Sequence, residues 1–392
     1  MPALTKAQRK QVQAAEDSFN RTYAMQYGEE RWQQTLYPAL VAPTRYAALI
    51  NRYATTGVPE AFAEDEAKEL ESIHFPGHGG SSAGESLTAY QRGTPEAEAP
   101  FPPPQMHPSN RLMTHWNLDA ASLLAVTVLD PQPGDKVLDI CAAPGGKSVA
   151  LAQLLRAPSF DASSSPSLAG GCLHSNEVNS ARNRRLASNL EAYLPAPLFK
   201  SGEVRVLKLD ASDAGAVHAL PLGPGGYDKV LLDAPCSSER HVVHSPAHAR
   251  GGLGSWRSGQ SRKLARAQAA LLLTALRAVR VGGRVLYATC SLSGEENDGV
   301  VDRGVEMAAA AAAARERRKK KEVGNGGGGG GGGKGGGGGG AWGLAVRSAS
   351  LEGAGMERWA ERTRHGWLVL PDHPGGGRWG PLYFALLEKV AI

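Results

Sequence analysis

Between residues 136 and 288, short apolar runs alternate with longer stretches of helical spacing, and this alternation constrains the fold more than any other feature. The runs at 136–140, 172–177, 204–209, 229–232 and 284–288 read as strands; residues 148–155, 180–190 and 263–279 read as helices. Strands that alternate with helices predict an open, doubly wound, Rossmann-like α/β sheet, with parallel strands joined across both faces. Two further strands, at 367–370 and 382–387, close the chain. In such sheets ligands gather at the carboxyl ends of the strands, so the residues found there carry the functional information.

Upstream, aromatic and apolar residues recur at helical spacing between Ala7 and Ala63, which predicts a helical N-terminal region over 1–75. Residues 76–110, dense in Gly, Ser and Pro, read as a linker, and an apolar helix starts at Trp116. The alternating region and its flanks then form one domain, 111–392. Two segments interrupt it. Residues 158–171 read as an inserted loop, and 308–340 pass from polyalanine through a basic run into almost pure glycine. Such a tract offers no side chains to offset the entropy of ordering it, so a solvated helix end or tether is expected.

The first turn of the sheet, Asp139-Ile-Cys-Ala-Ala-Pro-Gly-Gly-Lys-Ser148, lies between a strand and a helix. It is neither a P-loop, because Cys141 stands where that loop needs glycine, nor a dinucleotide G-x-G-x-x-G turn. What remains is a turn of small residues, Cys141, Ala142, Ala143, Pro144, Gly145, Gly146 and Lys147, with room for a ligand. Successive strands end on Asp139, Glu177, Asp210 and Asp233. Glu177 is placed to accept from ribose hydroxyls and Asp210 from an adenine amino group. Each acid alone is more often a cap or a solvated turn residue; four beside one glycine loop favour a nucleoside ligand.

Cys236 follows the fourth strand in Asp233-Ala-Pro-Cys-Ser-Ser, and Cys290 the fifth in Ala288-Thr-Cys-Ser-Leu-Ser, so both thiols can face one crevice. An isolated cysteine is usually inert and buried, but polar neighbours and matched strand-end positions argue against that here. No CxxC pair exists among the four cysteines, which points to reduced thiols with neither a disulfide framework nor a metal site. A net charge of +5 permits a nucleic-acid partner without demanding one. No apolar stretch is long enough for a membrane span. The acid-free first fifteen residues read as the start of a helix.

Taken together, Cys-Ala-Ala-Pro-Gly-Gly-Lys, Asp-Ala-Pro-Cys-Ser and Thr-Cys-Ser-Leu, in this order, resemble the RsmB/NSUN family of RNA (cytosine-5) methyltransferases. The resemblance covers about 116–300, and Gly380-Pro-Leu-Tyr-Phe-Ala-Leu more loosely. Within the family, Arg240-His-Val-Val-His244, Met25-Gln-Tyr-Gly and Tyr46-Ala-Ala-Leu-Ile-Asn are similar to the mitochondrial ribosomal-RNA member. The chain departs from the family in carrying Glu at 177 in place of Asp, and in its alanine-glycine insertion.

The resemblance implies S-adenosyl-L-methionine as cofactor, held by the 141–147 turn with Glu177, Arg182, Asp210 and Asp233. It also implies that Cys290 attacks the base and that Cys236 assists release. Carbon 5 of cytosine is a poor nucleophile; a thiolate added at carbon 6 turns the ring into an enamine that attacks through carbon 5. Asp233 would assist at N3 of a base that is unpaired or flipped out. DNA cytosine methyltransferases use a Pro-Cys nucleophile, which keeps Cys236 as the rival for attack. Arg182, Arg184 and Arg185 could also contact phosphates or simply form a solvated face. The implied partner is RNA, ribosomal above all, with recognition shared with a ribosomal precursor or a protein, and the implied location is the mitochondrion, with the chloroplast, nucleus and cytoplasm as alternatives. The rivals are a transfer-RNA substrate, a non-catalytic RNA-binding assembly factor and a small-molecule methyltransferase; the cysteine pair argues against the last two.

Overall fold

A computed structural model describes residues 5–54, 61–75, 86–93, 101–156, 166–213, 215–222, 225–245, 253, 256–257, 259–324, 342–352, 355–375 and 378–391. The chain opens with a long helix, α1 (Lys6–Tyr27), whose cap Thr5 exchanges hydrogen bonds with Gln8. Short helical turns follow. The chain then enters an antiparallel sheet of β1 (Tyr46–Ile50), β2 (Leu70–Ser72), β3 (Ala89–Arg92) and β4 (His115–Asp119), in the order β2-β3-β1-β4.

This sheet departs from the helical reading of the N-terminal region and from the linker reading of 76–110, because it draws strands from both and from the segment beyond. The run Tyr46-Ala-Ala-Leu-Ile is apolar without a clear period, and burial between β3 and β4 makes it a strand. The helix expected from Trp116 starts instead at Ala120: α2 (Ala120–Leu129) is capped by Asp119, whose carboxylate accepts from the Ala121 N–H at 2.9 Å. Eight of its ten residues are buried, as befits a helix packed on all sides.

The main sheet then forms. Its parallel part comprises β5 (Lys136–Asp139), β6 (Cys172–Asn176), β7 (Val204–Leu207), β8 (Tyr227–Asp233) and β9 (Val279–Thr289). Between these strands run α3 (Gly146–Leu154), α4 (Ser180–Tyr193), α5 (Glu239–His244) and α6 (Gln260–Ala278). After β9, α7 (Asp298–Gly324) continues straight through the polyalanine segment, since alanine is the strongest helix former. The chain ends with β10 (Trp342–Val346), β11 (Glu361–Arg362), β12 (Trp367–Val369) and β13 (Leu382–Ala391). The order is β11-β12-β13-β9-β8-β5-β6-β7, with β10 also on β13; the pairs from β9 to β7 are parallel and those on the β13 side antiparallel. Residues 325–341 of the glycine tract and the first part of the 158–171 insertion lie outside the described residues.

One apolar core fills each face of this sheet. Leu123, Leu124, Val149, Leu186 and Leu190 pack on one side, and Leu272, Leu276, Val300 and Val301 on the other. Each such buried side chain contributes about 1.5–3 kcal/mol. The second core also takes in Phe19, Tyr23 and Trp32 of the N-terminal region, where Phe19 lies 5.5 Å from Trp256 edge to face. α1 and the turns that follow it are therefore packed onto the main sheet on the side that carries α6 and α7.

Candidate active site

The turn after β5 is shaped by its glycines. Gly145 has φ +121°, which side chains rarely adopt, and a Cβ on Gly146 would come within 2.7 Å of the Trp116 indole nitrogen. The turn lines a cavity of about 220 Å³ together with Cys141, Ala142, Ala143, Pro144, Lys147, Asp139, Asp233 and the β4 residues Trp116, Asn117 and Leu118. Asp139 is fully buried at the end of β5 and accepts from Ser148 Oγ at 2.7 Å; burial, only partly offset by that bond, pushes its carboxyl up to about 7. Burial and the surrounding carboxylates raise the Cys141 thiol well above its ordinary range, so this cysteine contributes backbone and shape.

Glu177 is buried just past β6; it accepts from the Asn179 N–H at 2.8 Å and pairs with Arg182 at 3.2 Å. Arg182 also donates to the Ala143 carbonyl at 3.1 Å, tying this acid to the glycine turn. Neither residue lines the cavity itself. Asp210 is exposed and accepts from Ser212, through N at 3.0 Å and Oγ at 2.6 Å, which lowers its pKa. Asn176, at the end of β6, donates to the carbonyls of Ile140 and Leu209, both at 3.0 Å, so it holds the ends of three strands together.

The two cysteines do meet. Cys236 Sγ and Cys290 Sγ are 3.0 Å apart, both as free thiols, and Ser238 Oγ lies 2.9 Å from Cys290 and 3.3 Å from Cys236. Beside them Lys147 Nζ donates to Asp233 Oδ2 at 2.8 Å. The pair is asymmetric. The hydrogen bond from Cys236, then that from Ser238, hold Cys290 below the ordinary thiol value against the effect of burial, with Lys147 adding to the depression. The same shared bond, and burial, raise Cys236. Burial alone would depress Lys147, but the Asp233 carboxylate raises it above its usual value and keeps it cationic. The shared hydrogen bond and the Ser238 hydroxyl thus make Cys290 the more acidic of the two thiols and Cys236 the less acidic.

Beneath the cysteines lies a layer that the motifs did not reveal. Glu239 and Glu296 are fully buried and join the two cysteine loops. Glu239 accepts from Ser237, from the Leu292 N–H at 2.9 Å and from Tyr23 of α1 at 2.6 Å; burial raises its pKa against these donors. Glu296 accepts from the Ser237 N–H at 3.1 Å, Gln268 at 2.9 Å and Ser291 at 3.1 Å. Gln26 and Tyr27 of α1 donate to the Leu292 carbonyl at 2.6 and 2.7 Å. The one sequence signal for this layer was polarity, the Ser-Ser-Glu after Cys236 and the Ser after Cys290.

A sulfonium nucleoside fits the residues present. A turn bare of bulky side chains lines the cavity, carboxylates stand at neighbouring strand ends, and Oδ1 of Asp139 is enclosed without a partner. Among the described residues no group of three His, Cys, Asp or Glu could hold a metal ion, and no helix is long and apolar enough to cross a membrane.

Comparison with known proteins shows the family. The family described as 16S rRNA methyltransferase RsmB/F matches residues 126–328. The zebrafish protein (Danio rerio) named mitochondrial tRNA (cytosine(34)-C(5))-methyltransferase is 34% identical over 78% of this chain and 77% of its own length. The mouse 5-cytosine rRNA methyltransferase NSUN4 is 32% identical over 78% of this chain and 77% of its own. Among solved structures, NSun6 from Pyrococcus horikoshii, crystallised with SFG, superposes with a TM-score of 0.57 at 17% identity, covering 95% of this chain and 98% of that one; this likeness speaks to the fold alone. The chain belongs to the RsmB/F family of S-adenosylmethionine-dependent RNA (cytosine-5) methyltransferases.

Proposed function

We propose that this chain methylates carbon 5 of a cytosine in a mitochondrial ribosomal RNA, through a covalent adduct between Cys290 and carbon 6 of the base. The observation that carries the chemistry is the convergence of Cys236 and Ser238 on the Cys290 sulfur, with the charge of the Lys147 ammonium acting on it from the Lys147–Asp233 pair. When bound, S-adenosylmethionine supplies a methyl group activated by its sulfonium. The turn from Cys141 to Lys147 and the carboxylates of Glu177, Asp210 and Asp233 are the residues that would hold it, with Arg182 fixing Glu177 in place.

The chain's own groups then handle the base. The Cys290 thiolate forms a bond to carbon 6, and the ring π electrons shift toward carbon 5 and N3. The Lys147–Asp233 pair supplies the proton that N3 needs as it gains charge. It passes from the Lys147 ammonium through the Asp233 carboxyl to N3, stabilises the enamine through which carbon 5 takes the methyl group, and returns to the pair when the ring is restored. Cys236 holds its proton while Cys290 attacks. After transfer, loss of the carbon-5 proton to a base in the crevice restores the ring double bond as the carbon–sulfur bond breaks; Cys236 assists this release, and Cys290 leaves as thiolate.

Support for a ribosomal substrate comes from the relatives named 5-cytosine rRNA methyltransferase NSUN4, and support for the mitochondrion from the relatives named as mitochondrial. The relatives named for tRNA cytosine 34 favour a second reading, in which the substrate is a mitochondrial transfer RNA. A protein partner or the ribosomal precursor would supply specificity for one cytosine in either case.

Two measurements test the proposal. In cells lacking the gene, bisulfite sequencing should show loss of one 5-methylcytosine in mitochondrial ribosomal RNA. Loss confined to transfer RNA moves the assignment to the second reading. In vitro, Cys236→Ala should accumulate a nuclease-sensitive protein–RNA adduct on a denaturing gel, and Cys236→Ala with Cys290→Ala should not. An adduct in Cys290→Ala alone would exchange the two roles.

A further inference from the structure

Next to the crevice, three arginines meet without a direct ion-pair partner among the described residues. Arg240 is buried at the start of α5, four residues past Cys236. Its Nη1 donates to the carbonyls of Arg378, at 2.8 Å, and Gly380, and its Nη2 to those of Ala42 at 3.1 Å and Pro43 at 3.4 Å. Its terminal nitrogens are thus spent on main chain from the N-terminal region and the loop before β13. Arg45, just before β1, and Arg378 are half-buried. Arg45 donates to the Arg92 carbonyl through one nitrogen. Among the described residues none of the three is ion-paired with an acid, and the Nε of each is enclosed without a hydrogen-bond partner.

The charges feel one another. After burial, the Arg378 guanidinium is the largest influence lowering Arg45, with Glu71 opposing from a distance, and Arg378 also lowers Arg240. Asp119 is the acid that acts on Arg240 and on Lys147 alike, and it accepts from the Gly380 N–H at 2.9 Å, so it links the cluster to a residue that lines the crevice. Tyr46, next to Arg45 and near Arg240, is 49% exposed.

Gathering like charges at partly desolvated positions destabilises a fold; Asp119 and Glu71 act on Arg240 and Arg45 only through space, and no acid among the described residues pairs with the cluster directly. An anion would. Forked guanidiniums match the oxygens of a phosphodiester, and an exposed aromatic beside them is the combination that grips an unpaired strand by phosphate and stacked base. We infer that Arg45 and Arg378 hold a phosphodiester of the single-stranded RNA flanking the target cytosine, that Tyr46 stacks on an adjoining base, and that Arg240 is the buried charge behind them. The inference rests on RNA being the substrate.

The test measures binding of a fluorescent single-stranded RNA of about ten nucleotides with one cytosine to the full chain, between about 50 and 200 mM salt. Arg45→Ala and Arg378→Ala should each weaken binding and flatten the log–log salt slope by about 0.7, the value for one phosphate contact on a single strand. Tyr46→Ala should weaken binding about five-fold or more with the slope unchanged. S-adenosylmethionine affinity, read by calorimetry, should stay at the wild-type value in all three variants. If Arg378→Ala loses cofactor binding as well, Arg45→Ala alone decides. Wild-type affinity and slope in Arg45→Ala would overturn the subsite, as would weakened binding at an unchanged slope, the outcome of a structural role or of a carboxylate partner. A variant with the expected binding loss, from an enzyme that methylates no cytosine, leaves the subsite standing and refutes the proposed reaction instead.

Discussion

At the scale of single residues, the asymmetry of the cysteine pair depends on which sulfur has the better donors. Ser238 is 2.9 Å from Cys290 and 3.3 Å from Cys236, and its backbone sits at φ +51°, where the chain turns sharply into α5. A hydroxyl that donates to a thiolate stabilises the charged form and lowers its pKa; removing it raises that pKa. Single-turnover methyl transfer should therefore rise with pH through the Cys290 titration, with a midpoint below the ordinary thiol range. In Ser238→Ala the midpoint should move upward, so that the rate at neutral pH falls while the alkaline plateau is kept. An unmoved midpoint would remove Ser238 from the charge balance. The cysteines, Lys147 and Asp233 were readable from their motifs because each motif is contiguous. Ser238 was present in the same motif, yet its role was invisible there, since only the folded chain sets its hydroxyl between two sulfurs 54 residues apart.

At the scale of elements, α1 acts as a clamp on the cysteine loops. Tyr23 donates to Glu239, while Gln26 and Tyr27 donate to the Leu292 carbonyl, all across more than 200 residues of chain. Tyr23→Phe keeps the ring packed against Phe19 and Trp32 but removes one donor from a fully buried carboxylate. The expected cost is about 1–3 kcal/mol of stability. Methyl transfer should slow because the Cys290 loop loses its brace, with cofactor affinity unchanged. Unaltered turnover in a destabilised Tyr23→Phe would make α1 a packing element only. Long-range contacts of this kind leave no spacing pattern, whereas the parallel strands do. The strands at 136, 172, 204 and 229 were legible for that reason. β1 was not, because Tyr-Ala-Ala-Leu-Ile fits a helix as well as a strand until β3 and β4 flank it.

At the scale of the whole molecule, the question is whether the alanine-glycine segment belongs to the working fold. Its first part does, in that α7, whose Val300 and Val301 lie in the core, continues into the segment and buries Ala308. Beyond Gly324, the next described element is β10, which pairs antiparallel with β13 from Trp342↔Ala391 to Val346↔Leu387. The glycine tract therefore joins two elements that other contacts already anchor. For any loop, the entropy of closure grows only with the logarithm of its length, about 0.6 kcal/mol for each doubling. Removing the eight glycines Gly326–Gly333 roughly halves the connection and leaves both anchors in place. Stability should rise by no more than that amount, which is about 2 °C in melting temperature or less for a domain of this size. Methyl transfer and RNA affinity should match the parent chain. A fall of several degrees would show that the tract makes contacts of its own, and a selective loss of RNA affinity would make it part of the substrate surface.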